Sequence, residues 1–230
     1  MRTRWLIPHI AYIALYTLAA AGQAPPDPRA DAALALIQAA IQSRAAGFYP
    51  RAEAQYRQSL VILDEASGPR SSDLIPALNG LAEVYFAEQR YSDAEPLTLR
   101  SAALAEATLG PDHPLVATGL HNLAAIYHAQ GQYAKAGPLY LRALEIREKS
   151  LGPRHPFVAA TLVNLAELAR AQGDYNQAAA RYARALAIRE EAFGIQDPRV
   201  TETQANYAAV LRKTRRKCVS SPIPAALTIR

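Results

Sequence analysis

Shifted by 42 residues, this chain falls on itself, and that self-similarity constrains its fold more than any other feature. His113-Pro114, His155-Pro156 and Asp197-Pro198 stand 42 apart, as do Asn122, Asn164 and Asn206. Tyr49, Tyr91, Tyr133 and Tyr175 form a ladder at the same interval, and Gly68, Gly110, Gly152 and Gly194 form another. Leu81-Ala82, Leu123-Ala124 and Leu165-Ala166 repeat alongside Gln130-Gly131 and Gln172-Gly173. A fixed period of this size marks an array in which each unit buries its apolar face against its neighbour.

Each unit reads as two helices. In the third, Pro114 opens helix A, where a missing N–H costs nothing. Leu115, Leu120, Leu123, Ile126 and Tyr127 follow at helical spacing. Gly131 ends that helix, Tyr133 starts helix B, and Gly152-Pro153 breaks the chain again. Ala124 and Ala136 allow close approach, with Tyr133 and Tyr140 filling the space beside them. The pattern predicts helix A near 30–46, 72–88, 114–130 and 156–172, and helix B near 49–66, 91–108, 133–150 and 175–192. A last helix near 198–216 turns polar at Arg212-Lys213-Thr214-Arg215-Arg216-Lys217, as an end cap requires. Pro96 and Pro138 fall inside helix B, and each removes one backbone bond, so helix B is expected to start late or bend there.

The expected organisation is an export segment at 1–24, a linker at 25–29 and four repeats at 30–68, 69–110, 111–152 and 153–194. A capping helix at 195–217 and a disordered tail at 218–230 complete it. The first repeat is degenerate, and the second carries Gln89 in place of the turn glycine and Gly80 in place of the asparagine. Four repeats plus a cap exceed the about three needed for stability, so a monomer suffices.

The stretch from Asn122 to Glu148, NLAAIYHAQGQYAKAGPLYLRALEIRE, resembles a tetratricopeptide repeat. The 42-residue period and the Leu-Gly-Pro-x-His-Pro link from Leu151 to Pro156 are similar to the kinesin light chain subtype. The resemblance covers roughly residues 30 to 215. It implies an all-α, right-handed solenoid of tandem helix hairpins whose helices A line a concave groove for an extended peptide or a partner's helix. The family's groove-facing asparagine falls on Asn122, Asn164 and Asn206, whose amides can both donate and accept. Asn79, Glu83, Phe86, His121, His128, Glu167 and Arg170 share that expected face, with Arg212 and Lys213 beyond them. The alternative is that the asparagines bond within the scaffold, tying one helix A to the next. The mixed signs of these residues do not make a uniformly basic clamp for a C-terminal carboxylate.

The partner expected is therefore a protein or peptide, with no cofactor, no metal and no nucleic acid. His113, His155 and Asp197 occupy one register, and Asp is a strong helix N-cap, so all three are expected to hold the turn before the proline rather than bind metal. Phosphate loops, His-Glu-x-x-His helices and Gly-x-Ser-x-Gly elbows do not occur in the sequence. Cys218 has no histidine near it in sequence, and the glutamates of helix B, such as Glu145, Glu148, Glu190 and Glu191, stand beside arginines as surface ion pairs. The reading is a non-catalytic interaction scaffold, the alternative being a membrane-anchored assembly factor that uses an uncleaved N-terminal segment and the basic C-terminal tail. Of the formal charge of +5, the first four residues supply +2 and residues 212–230 supply +6, which leaves −3 for residues 25–211. The repeat body is not a basic nucleic-acid binder, and membrane contact is expected only through the N-terminal segment or the basic tail.

Met1 to Arg4 is basic, Trp5 to Ala21 is largely apolar, and Ala19-Ala20-Ala21-Gly22-Gln23-Ala24 supplies small residues before Pro25-Pro26. That order is the signature of a secretory signal, and seventeen residues containing Pro8 and His9 are short for a span. A periplasmic or secreted location is expected, a membrane anchor at residues 5–21 being the alternative. One cysteine cannot mispair within the chain, which suits an oxidising compartment. N-terminal sequencing of the native protein is expected to begin at Pro25 or Gly22. Met1 retained in a membrane fraction defeats the export reading.

Overall fold

Proline fixes φ and lacks an amide proton, so it is best placed where a helix begins. Pro114, Pro156 and Pro198 each begin one. The computed structural model describes residues 28–219, with side chains described from Arg29 to Arg215. The expected export segment, most of the linker and most of the tail lie outside the described residues. Among the described residues there are nine α-helices and no strand. They are α1 (Pro28–Ala45), α2 (Tyr49–Ser67), α3 (Ile75–Ala87), α4 (Tyr91–Leu109), α5 (Pro114–Ala129), α6 (Tyr133–Leu151), α7 (Pro156–Ala171), α8 (Tyr175–Phe193) and α9 (Pro198–Val219). None of them is long and apolar enough to cross a membrane.

The expected boundaries need three corrections. Pro28 and Arg29, assigned to the linker, open α1, because proline suits a first helical turn. The last helix continues through Cys218 to Val219, into the stretch assigned to the tail. Residues 72–74 form a 3-10 turn instead of the first turn of helix A. Pro76 has no N–H to return to the carbonyl of Ser72, so the chain tightens there and the α-helix starts at Ile75. The helices B run unbroken from Tyr91 and Tyr133 through Pro96 and Pro138, so neither starts late.

The repeated turns have one geometry. At the A–B turn of the third repeat, Gln132 N–H bonds the Tyr127 carbonyl at 2.8 Å and Gly131 N–H bonds His128 at 2.9 Å. This pair of bonds closes a helix end when the residue between is left-handed, and Gly131 has φ +74°. The second repeat makes the same closure, Arg90 N–H to Tyr85 O at 2.8 Å, with Gln89 held at φ +62°. Gln89 carries the only positive φ of a non-glycine residue among those described.

The described residues divide into two compact units, one ending at Leu104 and the other beginning at Ala105. In the first, α1 packs on α2, and both pack on α3. In the second, α5 packs on α6, α7 on α8 and α9 on α8, while α7 contacts both α5 and α6. Alanines let the helices meet: Ala124, Ala136, Ala166 and Ala178 are fully buried. Tyr140 and Tyr182 fill the core of the second unit, and Tyr56, in the same register, fills that of the first. The Tyr56 ring explains Gly80, because a Cβ there would lie 2.3 Å from a ring carbon.

Exposed ion pairs repeat with the helices B. Asp64 pairs with Arg100 at 3.2 Å in the first unit. Glu106–Arg142 at 2.6 Å and Glu148–Arg184 at 2.5 Å take the same positions in the second.

Replacing Gln89 by Gly removes a left-handed strain of ~1–2 kcal/mol, offset in part by the backbone entropy of glycine. Urea unfolding is expected to show a gain of about 0.5–1 kcal/mol. Gly80→Ala is expected to cost about 1–3 kcal/mol through overpacking against Tyr56. A neutral Gly80→Ala would mean that the ring does not hold this place.

Candidate functional site

Three unburied positions of helix A recur from repeat to repeat, at 76, 118 and 160, at 83, 125 and 167, and at 86, 128 and 170. On α3 the unburied positions are Pro76, Glu83, Phe86 and the terminal Ala87. On α5 they include Thr118, Ala125 and His128, and on α7 Ala160, Val163, Glu167 and Arg170. Spacings of three and four put such residues on one side of a helix, so each helix A presents an accessible stripe between buried rows.

Five of the expected site residues lie on that stripe and four do not. Glu83 and Phe86 occupy it in the first unit; His128, Glu167 and Arg170 occupy it in the second. Asn79, His121, Asn122 and Asn164 are buried, with exposures of 2, 7, 7 and 5%. The expectation of exposed, groove-facing amides is therefore corrected for Asn122 and Asn164. They stand four residues after Thr118 and Ala160 and three before Ala125 and Glu167, on the same side of the helix, yet the packing around them leaves them buried. Asn206, in the same register on α9, is half-buried, and Arg212 and Lys213 are exposed.

Asn164 takes the scaffold role. Its carboxamide lies 3.0 Å from Nε2 of His121, so α7 is tied to α5. Arg147 of α6 approaches Nδ1 of the same ring at 3.3 Å. The Asn164 atom that faces Nε2 is its Nδ2. Burial first, and Arg147 second, hold the His121 pKa well below its ordinary value, which keeps the ring neutral. Asn122 differs: its Nδ2 is buried without a hydrogen-bond partner among the described residues.

Arg147 itself was not legible as a site residue. It is buried and also donates to Thr161 Oγ1 at 2.7 Å and to the Phe157 carbonyl at 3.1 Å. Arg189 repeats this on Thr203 at 2.6 Å and the Arg199 carbonyl at 3.0 Å. Both arginines bind the first turns of the following helix A, where the 42-residue ladders of Arg147/Arg189 and Thr161/Thr203 were the available signal.

The charged members of the stripe are anchored. In the first unit Glu83 pairs with Arg44, and burial raises the carboxyl's pKa against that arginine's opposing pull. Phe86 meets Tyr91 edge-on at 5.5 Å. In the second unit Glu167 accepts from the Tyr182 hydroxyl and from Arg170 Nε at 2.8 Å. Burial, and then the bond to Glu167, raise the Tyr182 pKa. His128 packs edge-on to Tyr133 at 5.4 Å, the counterpart of Phe86 on Tyr91, and burial lowers its pKa. Arg170 is half exposed at the open end of the stripe.

The link residues act as expected. His113 and His155 accept the N–H of Leu115 and Phe157 through Nδ1 at 3.2 and 3.1 Å, and Asp197 accepts that of Arg199 at 2.8 Å. Ser71 caps the 3-10 turn of the second repeat in the same register. Among the described residues no three His, Cys, Asp or Glu side chains converge as a metal set.

Helix hairpins in a 42-residue register, closed by common turns and stacked through small residues, define an all-α repeat protein. The tetratricopeptide repeat family matches residues 73–136, 115–191 and 158–217, more than half of the chain, which therefore belongs to that family. No curated protein matches it. BtubC (BKLC) from P. vanneervenii is similar in structure, with a TM-score of 0.70 and 25% identity over 89% of this chain and 90% of that one. A putative kinesin light chain from Podosopora anserina with nearly identical TPR-like repeats gives 0.68 and 21%, over 83% and 90%. Aspartyl phosphate phosphatase F from Bacillus subtilis shares the fold at 0.70 and 18%, over 85% of this chain and 49% of that one. The repeats are of the kinesin light chain-like type.

Asn164→Ala removes the buried amide that faces His121 Nε2 and leaves that ring nitrogen without its partner, and urea unfolding is expected to show a loss of about 1–3 kcal/mol. Arg170→Ala, at a half-exposed ion pair, is expected to change stability by less than ~1 kcal/mol. Equal costs for the two would contradict the division between scaffold and stripe.

Proposed function

We propose that this protein is an exported, non-catalytic scaffold that holds an extended peptide or a partner's helix against the helix-A stripe of its second unit. The tetratricopeptide repeat fold is a typical protein-interaction scaffold, and that is the frame of the proposal. The observation that carries it is the accessible row Ala160, Val163, Glu167 and Arg170 on α7, beside Thr118, Ala125 and His128 on α5. Small and apolar side chains there admit a backbone closely, while Glu167 and Arg170 at one end supply both signs of charge. The His121–Asn164 bond and the Arg147 contacts hold the two helices at fixed spacing beneath it. A preformed surface binds without the ordering cost that a flexible one must meet. Export rests on the basic, apolar and small-residue order of residues 1–24.

Photocrosslinkers placed singly at Val163 and at Leu141, an exposed leucine of helix B, test the assignment in the native envelope. Capture from position 163, reduced at least tenfold by Arg170→Glu at unchanged melting temperature, is expected. Capture from position 141 alone would place the partner on the helix-B side and overturn the reading.

A further inference from the structure

The residue before helix A differs in chemistry from repeat to repeat at a single register. Ser71 accepts the Asp73 N–H at 3.1 Å, His113 and His155 accept through Nδ1 at 3.2 and 3.1 Å, and Asp197 accepts at 2.8 Å. A neutral imidazole offers Nδ1 as an acceptor, whereas an imidazolium offers none. We propose that His113 and His155 are acid-released helix caps: protonation frees the starts of α5 and α7, while the helix starts held by Ser71 and Asp197 keep theirs. The release itself is independent of the proposed partner face; only its effect on binding rests on that reading.

The surroundings favour the neutral, capping form of both rings at neutral pH. Both rings are partly buried, and desolvation holds their pKa values below the ordinary one. Arg147 of α6 adds to this at His155, whose ring lies 5.1 Å from that of Phe157. The flanking charges are engaged elsewhere, Asp112 by Lys149 and Arg154 by Glu191 at 3.2 Å. Because the folded pKa is lowered, the caps contribute fully above the unfolded value of ~6.5 and are lost as pH falls through the lower folded value. Asp197 behaves differently: two bonds from the Arg199 guanidinium, at 2.8 Å each, hold its carboxyl at about 2. The two histidine caps are therefore lost below the unfolded histidine value, whereas the aspartate cap persists there.

Amide hydrogen exchange by NMR on the full chain, at about pH 7.5 and about pH 5 and corrected for intrinsic rates, tests this in the window where histidine titrates. The Leu115 and Phe157 amides are expected to exchange about fivefold faster at the lower pH, the loss of a typical cap, with Asp73 and Arg199 unchanged. His113→Ser with His155→Ser, which copies Ser71, is expected to abolish the acid response. Equal acceleration at Arg199, or a serine variant that keeps the response, overturns the proposal. Should that variant fail to fold, the contrast between Phe157 and Arg199 in the unaltered chain decides it.

Discussion

The contact on which the rest depends is the meeting of helices through residues with almost no side chain. Ala124, Ala136, Ala166 and Ala178 are fully buried, and each brings two backbones close enough for one large side chain to fill the remaining space. In the second unit that side chain is Tyr140 or Tyr182; in the first it is Tyr56. Close packing leaves little room for adjustment, which is why Gly80 is required beside the Tyr56 ring. The same closeness turns the neighbouring helix-A residues inward and leaves the accessible stripe narrow.

Burying tyrosines and asparagines brings polar atoms inside, and their satisfaction sets the spacing of the helices. His121, Asn164, Arg147 and Thr161 form a chain of bonds across α5, α6 and α7. A neutral histidine suits this place, because a buried imidazolium beside Arg147 would be strongly disfavoured. The surface pairs add little energy but carry register information. Asp112 pairs with Lys149 in one repeat, and Arg154 with Glu191 in the next, at the same positions with the signs exchanged. A slip of one repeat would set like charges together.

Much of this was legible because repetition amplifies weak signals. The proline starts, the glycine turns and the histidine caps each recur, and each has a local cause that holds wherever the chain sits. The 3-10 turn at Ser72–Leu74 was missed because Pro76 acts on a bond four residues back, against the pattern of the other repeats. Arg147 was missed because an arginine on helix B looks like any surface charge until the next helix A lies over it.

The amino-acid order by itself determined the period, the helix boundaries to within a few residues and the residues that cap and turn them. These depend on backbone chemistry within one or two turns. What only the packed structure decided was direction: that Asn122 and Asn164 turn into the scaffold, while Glu167, Arg170 and His128, a few positions along, stay on the accessible side. Three residues separate Asn164 from Glu167, so both lie on one side of the helix, and the side chains packed over each decide which is covered.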